Sequence, residues 1–158
     1  MMPVRKLHRI LSSVVISVII LFVAGTLPAK QLKTGDLIGT WQLKYRGGYG
    51  YTFRFYRNYR ALCMLHLRVN ALIFKGVYTV EENNKIRINI YEMKNEQNPA
   101  RPNLKKNFIK TSSSYFIFQG TLHRSSNRMK LLMQPVTIVI DGMSSAGYFE
   151  PSFELIRQ

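Results

Sequence analysis

From Asp36 onward, apolar side chains recur at every second position. Gly39, Trp41, Leu43 and Tyr45 alternate with Thr40, Gln42 and Lys44. Tyr51, Phe53 and Phe55 alternate with Thr52, Arg54 and Tyr56, and Ile86, Ile88 and Ile90 with Arg87, Asn89 and Tyr91. Met129, Leu131 and Met133 keep the same beat against Lys130 and Gln134. A period of two sends one set to one face of a pleated strand and the other set behind it. The β-branched and aromatic side chains that fill these stretches suit a half-buried sheet. Beyond the N-terminal segment, no stretch carries the 3.6-residue period of a long amphipathic helix, and no longer repeat is present.

Turn residues punctuate the strands. Arg46-Gly47-Gly48 parts the first from the second, and Glu82-Asn83-Asn84-Lys85 reads as a hairpin loop between residues 77–81 and 86–93. Ser125-Ser126-Asn127 separates residues 116–123 from 129–134, and Asp141-Gly142 ends a further run over 136–140. Residues 94–106 hold Pro99 and Pro102 with little hydrophobicity and read as a long exposed loop. Many short strands, tight turns and no helices to cover a parallel sheet predict an all-β protein. Closing the sheet removes its edges, so the expected architecture is an antiparallel up-and-down β-barrel of about eight to ten strands.

The N-terminus predicts a signal helix ahead of that barrel. Arg5, Lys6 and Arg9 precede a run from Ile10 to Gly25 that is apolar apart from three serines, and small residues follow up to Ala29. Charge, hydrophobic stretch and small residues in that order are the marks of a secretory signal. At about 1.5 Å per residue the run spans roughly 24 Å, short of the roughly 30 Å hydrocarbon core. Residues 1–29 are therefore expected to be a cleaved signal, with an uncleaved anchor as the alternative, and residues 30–158 the barrel domain. The domain is expected in the periplasm or outside the cell, or else held at the membrane by its N-terminal segment. The sole cysteine, Cys63, cannot form an internal disulfide, so stability must come from burial.

Charge changes the picture of partners. The formal net charge is +15, and without Arg5, Lys6 and Arg9 the chain keeps 20 basic against 8 acidic side chains, a net +12. Between Leu37 and Val80 there is no acidic residue. Lys44, Arg46, Arg54, Arg57, Arg60, Arg68 and Lys75 are the candidate anion-binding residues of that one-signed half. A field of this kind draws polyanions such as an anionic membrane or envelope surface. The bland alternative is that the charge only keeps the protein soluble.

The first strand, Asp36-Leu37-Ile38-Gly39-Thr40-Trp41-Gln42-Leu43, resembles the opening of lipocalin-like and other calycin β-barrels, in which a Gly-x-Trp motif starts strand one. Tyr51-Thr52-Phe53-Arg54-Phe55, Phe74-Lys75-Gly76-Val77-Tyr78, Phe118-Gln119-Gly120-Thr121-Leu122 and Asn127-Arg128-Met129-Lys130-Leu131 follow the order of the small bacterial lipocalin-like domains. The Thr-Asp-Tyr turn of the kernel lipocalins is not in the sequence. The resemblance implies that Trp41 plugs one end of the barrel, that Arg157 from the last strand packs over its ring, and that Gly39 lets the backbone pass beneath. It also implies a possible small hydrophobic or amphipathic ligand in the barrel, with Tyr51, Phe53, Phe55, Phe74 and Tyr78 as lining. The same aromatics would equally serve as plain core.

Signatures of other chemistry are sparse. Gly48-Tyr49-Gly50-Tyr51 fits the middle of a sheet-borne RNA motif, but Gly47 and Arg54 stand where a base and an aromatic belong, so nucleic acid is a disfavoured partner. Cys63 and His66 are three apart on a strand, hence on opposite faces, and cannot share a metal ion. Gly142-Met143-Ser144-Ser145-Ala146-Gly147 is not a nucleophile elbow, and the eight carboxylates form no recognisable acid–base pair. The sequence thus points to a non-enzyme with no cofactor or metal. Its two functional expectations are a lipocalin-like carrier of a small apolar ligand and a basic protein that binds an anionic surface. A transmembrane eight-stranded barrel fits the length, but arginines on its strands disfavour it.

Overall fold

The computed structural model describes residues 31–158, and the segment read as a signal or anchor lies outside the described residues. Gln31–Gln158 form one compact unit. A single helical turn, α1 (Thr34–Leu37), leads into β1 (Gly39–Lys44), β2 (Tyr49–Phe55), β3 (Arg60–Leu67) and β4 (Asn70–Glu81). Then come β5 (Lys85–Glu96), β6 (Ile109–Ser125), β7 (Arg128–Ile140), the two-residue β8 (Met143–Ser144) and β9 (Phe153–Arg157). Every pairing is antiparallel. Neighbours in sequence are neighbours in space from β1 to β7. β9 then lies between β7 and β1, while β8 pairs onto β7. Eight strands therefore close into an up-and-down barrel, with β8 as an extra strand.

The period of two fills the interior. Trp41, Phe53, Phe55, Ile86, Ile88, Leu131 and Met133 are all buried in one core, and their polar sequence neighbours lie on the outer wall. Asn83 and Asn84, in the turn between β4 and β5, take the left-handed conformation (φ 57° and 60°) that asparagine tolerates better than most residues.

Two expectations need correction. Residues 128–140 form one strand rather than two, because Pro135, paired with Phe118, adjoins the register shift that leaves Val136 as an extra residue between the Ile117 and Phe118 pairings. A bulge is where a strand tolerates a residue with no N–H to donate. Residues 94–96 are also not loop. They belong to β5, and Lys94 is buried.

Candidate functional site

Three zones carry the unusual side chains: the closed end, the interior and the outer wall of β1–β5.

Residues 31–38 cross the closed end, with Leu32 and Leu37 buried in the core. The Trp41 indole Nε1 donates to the Leu37 carbonyl at 2.6 Å, which satisfies the one polar atom of a ring that has no exposed surface. Trp41 and Arg157 face each other across the β1–β9 pairing. The guanidinium carbon stands 5.5 Å from the indole centroid, within cation–π range, and Nη2 donates to the Ile38 carbonyl. Gly39 has φ +132°, and a Cβ there would lie 3.2 Å from Arg157 Nε. The missing side chain leaves room for the guanidinium.

In the interior, Tyr51, Phe53, Phe55, Phe74 and Tyr78 are buried. Their rings touch one another or neighbouring aromatics: Phe55 lies edge-on to Tyr78 at 4.9 Å, and Phe74 to Phe116 at 5.0 Å. Phe149, carried by the connection between β8 and β9, inserts from the open end. It meets Phe118 at 5.1 Å, Phe116 at 5.5 Å and Phe153 at 5.8 Å. The five candidate lining residues thus share one space, which aromatic side chains fill. Cys63 also faces inward, and burial pushes its thiol up, which disfavours the nucleophilic thiolate. His66 points the other way, onto the outer wall, where its Nε2 lies 2.9 Å from Thr52 Oγ1.

The outer wall is built of cross-strand rows. One runs Gln42, Thr52, Met64, Ile73, Lys94, and the next Thr40, Arg54, Leu62, Lys75, Glu92. Thr52, Leu62, Met64, Ala71 and Ile73 are buried despite facing outward. Residues 97–108 form a strap, from which Leu104 and Phe108 pack onto Leu62, Met64, Ala71 and Ile73. Lys75 Nζ sits 3.5 Å from the Phe108 ring centroid and makes an ion pair with Glu92 at 3.1 Å. Lys94 latches the strap. Its ammonium donates to Glu96 Oε2 at 2.6 Å and to the carbonyls of Asn103 and Lys106. Glu96 in turn accepts from the backbone N–H groups of Asn98 and Asn103 at 3.1 and 3.0 Å. The Lys94 hydrogen bond, helped by those N–H donors, pulls the Glu96 carboxyl down to about 2.

No family model matches the chain, and no curated protein or solved structure is significantly similar to it.

The seven candidate anion-binding residues fall into three groups on this wall. Lys44, Arg46 and Arg68 are exposed at the open end, and Arg57 and Arg60 are exposed around the β2–β3 turn at the closed end. Arg54 and Lys75 flank Leu62 midway. The Nε of Arg54 is buried with no hydrogen-bond partner among the described residues. Beside the strap, a cleft of about 690 Å³ is lined by Tyr56, Arg60, Leu62, Lys75, Val77 and Tyr91. A register shift between Ile90 and Glu92 makes Tyr91 an extra residue on β5 and brings it to this cleft together with Glu92. At the open end, a smaller cleft of about 240 Å³ lies between Lys44, Tyr45, Tyr49, His66, Arg68 and Pro99. Burial, and then the charge of Lys44, hold the His66 imidazole below its ordinary value, favouring its neutral form.

The strap, its Lys94 latch and the Phe149 plug are not among the features expected from sequence. A signal for the strap exists in Ala61-Leu62-Cys63-Met64-Leu65, an unbroken apolar run where a barrel strand with a wet outer face would alternate.

Proposed function

We propose that this is an exported, lipocalin-like (calycin-type) barrel that binds rather than catalyses. Its working surface is the set of exposed cations carried by β1–β4 and their turns, which attaches to an anionic membrane or envelope surface. The Gly39–Trp41–Arg157 arrangement supports the calycin likeness. One observation carries the functional reading. The interior is packed with aromatic rings, whereas the exposed cations of β1–β4 lack carboxylate partners. Among the described residues Lys44, Arg46, Arg57, Arg60 and Arg68 make no ion pair, and the wall's nearby carboxylates Glu92 and Glu96 are taken by Lys75 and Lys94. Uncompensated like charges on one wall attract phosphate-rich surfaces over a Debye length of about 10 Å at moderate salt.

The test is co-sedimentation with vesicles of phosphatidylglycerol and phosphatidylcholine against phosphatidylcholine alone. The protein should pellet with the first and not the second, and salt near 1 M, where the Debye length is about 3 Å, should release it. Equal pelleting with both would refute the reading. The Gln31–Gln158 unit should be run beside the full chain, so that any affinity of residues 1–30 is measured separately.

A second reading, a small apolar ligand inside the barrel, is favoured by one feature. The plug, Phe149, comes from a connection and not from a strand, so its removal need not break the hydrogen-bonded wall. Tyr51, Phe53, Phe55, Phe74 and Tyr78 would then line the vacated space.

A further inference from the structure

The inward-facing files of β1, β2 and β3 do not stop at the barrel's rim. Beyond Leu43, Tyr51 and Leu65 the same alternation brings out Tyr45, Tyr49 and Leu67, with Tyr49 directly opposite Leu67 across the β2–β3 pairing. All three are exposed, and Tyr148 joins Tyr45, Tyr49 and Leu67 around one depression, which Glu150 also lines. Two residues past Leu67, in the turn between β3 and β4, Val69 is 72% exposed. Nothing in the turn requires a β-branched apolar side chain there, and turns ordinarily carry Gly, Asn, Asp or Ser. The outward-facing positions of the same two turns are basic. Lys44, Arg46 and Arg68 are all exposed, and the Arg68 backbone N–H donates to the Gly48 carbonyl at 3.3 Å, tying the two turns together.

The carboxylates at this end are few. Glu150 accepts from the Tyr45 hydroxyl at 2.9 Å. Asp141 accepts from the Ser112 backbone N–H at 3.1 Å. Glu96 is held by Lys94. An apolar and tyrosine-rich centre bordered by cations is the composition that settles at a bilayer interface, where rings lie at headgroup depth and lysine and arginine reach the phosphates.

We infer that the open end of the barrel is the face that docks on an anionic lipid bilayer, with Tyr45, Tyr49, Leu67, Val69 and Tyr148 entering the interface and Lys44, Arg46 and Arg68 engaging lipid phosphates. This rests on the proposed surface-binding function and adds the orientation and an apolar component. Charge complementarity selects the occupant. A second copy of this chain would bring like charges together at the same rim, and a neutral bilayer would leave three cations without partners.

Tryptophan reporters separate the possibilities. Trp41 is fully buried at the opposite end and supplies a constant background. In the full chain, and in parallel in Gln31–Gln158, Val69→Trp should shift its emission to the blue on adding phosphatidylglycerol vesicles but not phosphatidylcholine vesicles. Val77→Trp, at an exposed position on the outer face of β4, should not shift. The double variant Leu67→Ser, Val69→Ser should weaken vesicle binding by about tenfold or more, since two aliphatic side chains no longer leave water on docking. Arg68→Gln should weaken it further and flatten its salt dependence.

A shift at position 77 and none at 69 would overturn the orientation while leaving surface binding intact. So would a serine pair that binds as well as the parent. Failure of the parent itself to bind anionic vesicles would remove both claims. Self-association of the parent that the serine pair abolishes would reassign the rim to a protein contact and overturn the inference.

Discussion

Arg157 and Trp41 show how two side chains from opposite ends of the chain close one structure. Strand β9 pairs with β1 through few residues, with Trp41 opposite Arg157 and Gln42 opposite Ile156, and the Gln158 N–H donates to the Thr40 carbonyl at 2.9 Å. The guanidinium adds a contact to the indole face and a charge-assisted bond to Ile38 at this seam. Arg157→Ala should lower stability to urea by about 1–3 kcal/mol, the usual value of a hydrogen bond to a charged group together with its cation–π contact. Lysine cannot supply the planar fork, so Arg157→Lys should recover only part of the loss. Trp41 emission should move to longer wavelength in the alanine variant as water reaches the ring. At the other end, Phe149→Ala removes a buried ring and should cost about 3–5 kcal/mol. If the second functional reading holds, this variant gains binding of a small apolar dye that the parent excludes. If the cavity collapses, stability falls with no gain in dye fluorescence.

At the scale of elements, the strap is the feature that departs most from a plain barrel. A segment of Asn, Pro and Lys has little apolar surface of its own, yet Leu104 and Phe108 suffice to cover an outer-wall patch whose side chains would otherwise meet water. Latching relies on a buried ammonium, and a buried charge is tolerated only when paired and hydrogen-bonded. Glu96→Gln should therefore loosen the strap, and trypsin should cut faster after Lys105 or Lys106 while the barrel core remains intact. The pH dependence has a definite sign. The Glu96 carboxyl is held at about 2 in the folded state, against 4.5 as its ordinary value. Its contribution is complete above that ordinary value and is lost as the pH falls toward 2. Proteolysis of the parent at graded acidity with an acid-tolerant protease, or amide exchange of residues 97–108, should show opening across that window. In Glu96→Gln the opening should be present at neutral pH and should lack this acid step.

For the whole molecule, charge and fold act in opposite directions. A net +12 in the chain without Arg5, Lys6 and Arg9 repels itself in the compact state. Raising sodium chloride from about 0.01 M to 0.15 M shortens the Debye length from about 30 Å to about 8 Å, and should raise the thermal midpoint while weakening attachment to anionic vesicles. A midpoint indifferent to salt would mean that the carboxylate pairs already neutralise the local fields.

The alternation of apolar and polar positions, the tight turns between them and the liability of free sheet edges were enough to determine that the chain is all-β, antiparallel and closed. In a strand each residue's face follows from its parity, so Trp41, Phe53, Ile88 and Leu131 could be placed inside without knowing their neighbours. The bridge from Gly39 and Trp41 to Arg157 was legible too, through resemblance. Tertiary structure alone decided that Phe149 occupies the mouth, that residues 97–108 lie down on the wall, and that the seven candidate cations separate into three groups. Parity says which face a strand residue takes, but connections have no parity. Where they come to rest depends on contacts between residues remote in sequence, such as Leu104 with the β3–β4 wall, and those exist only once the sheet has curled shut.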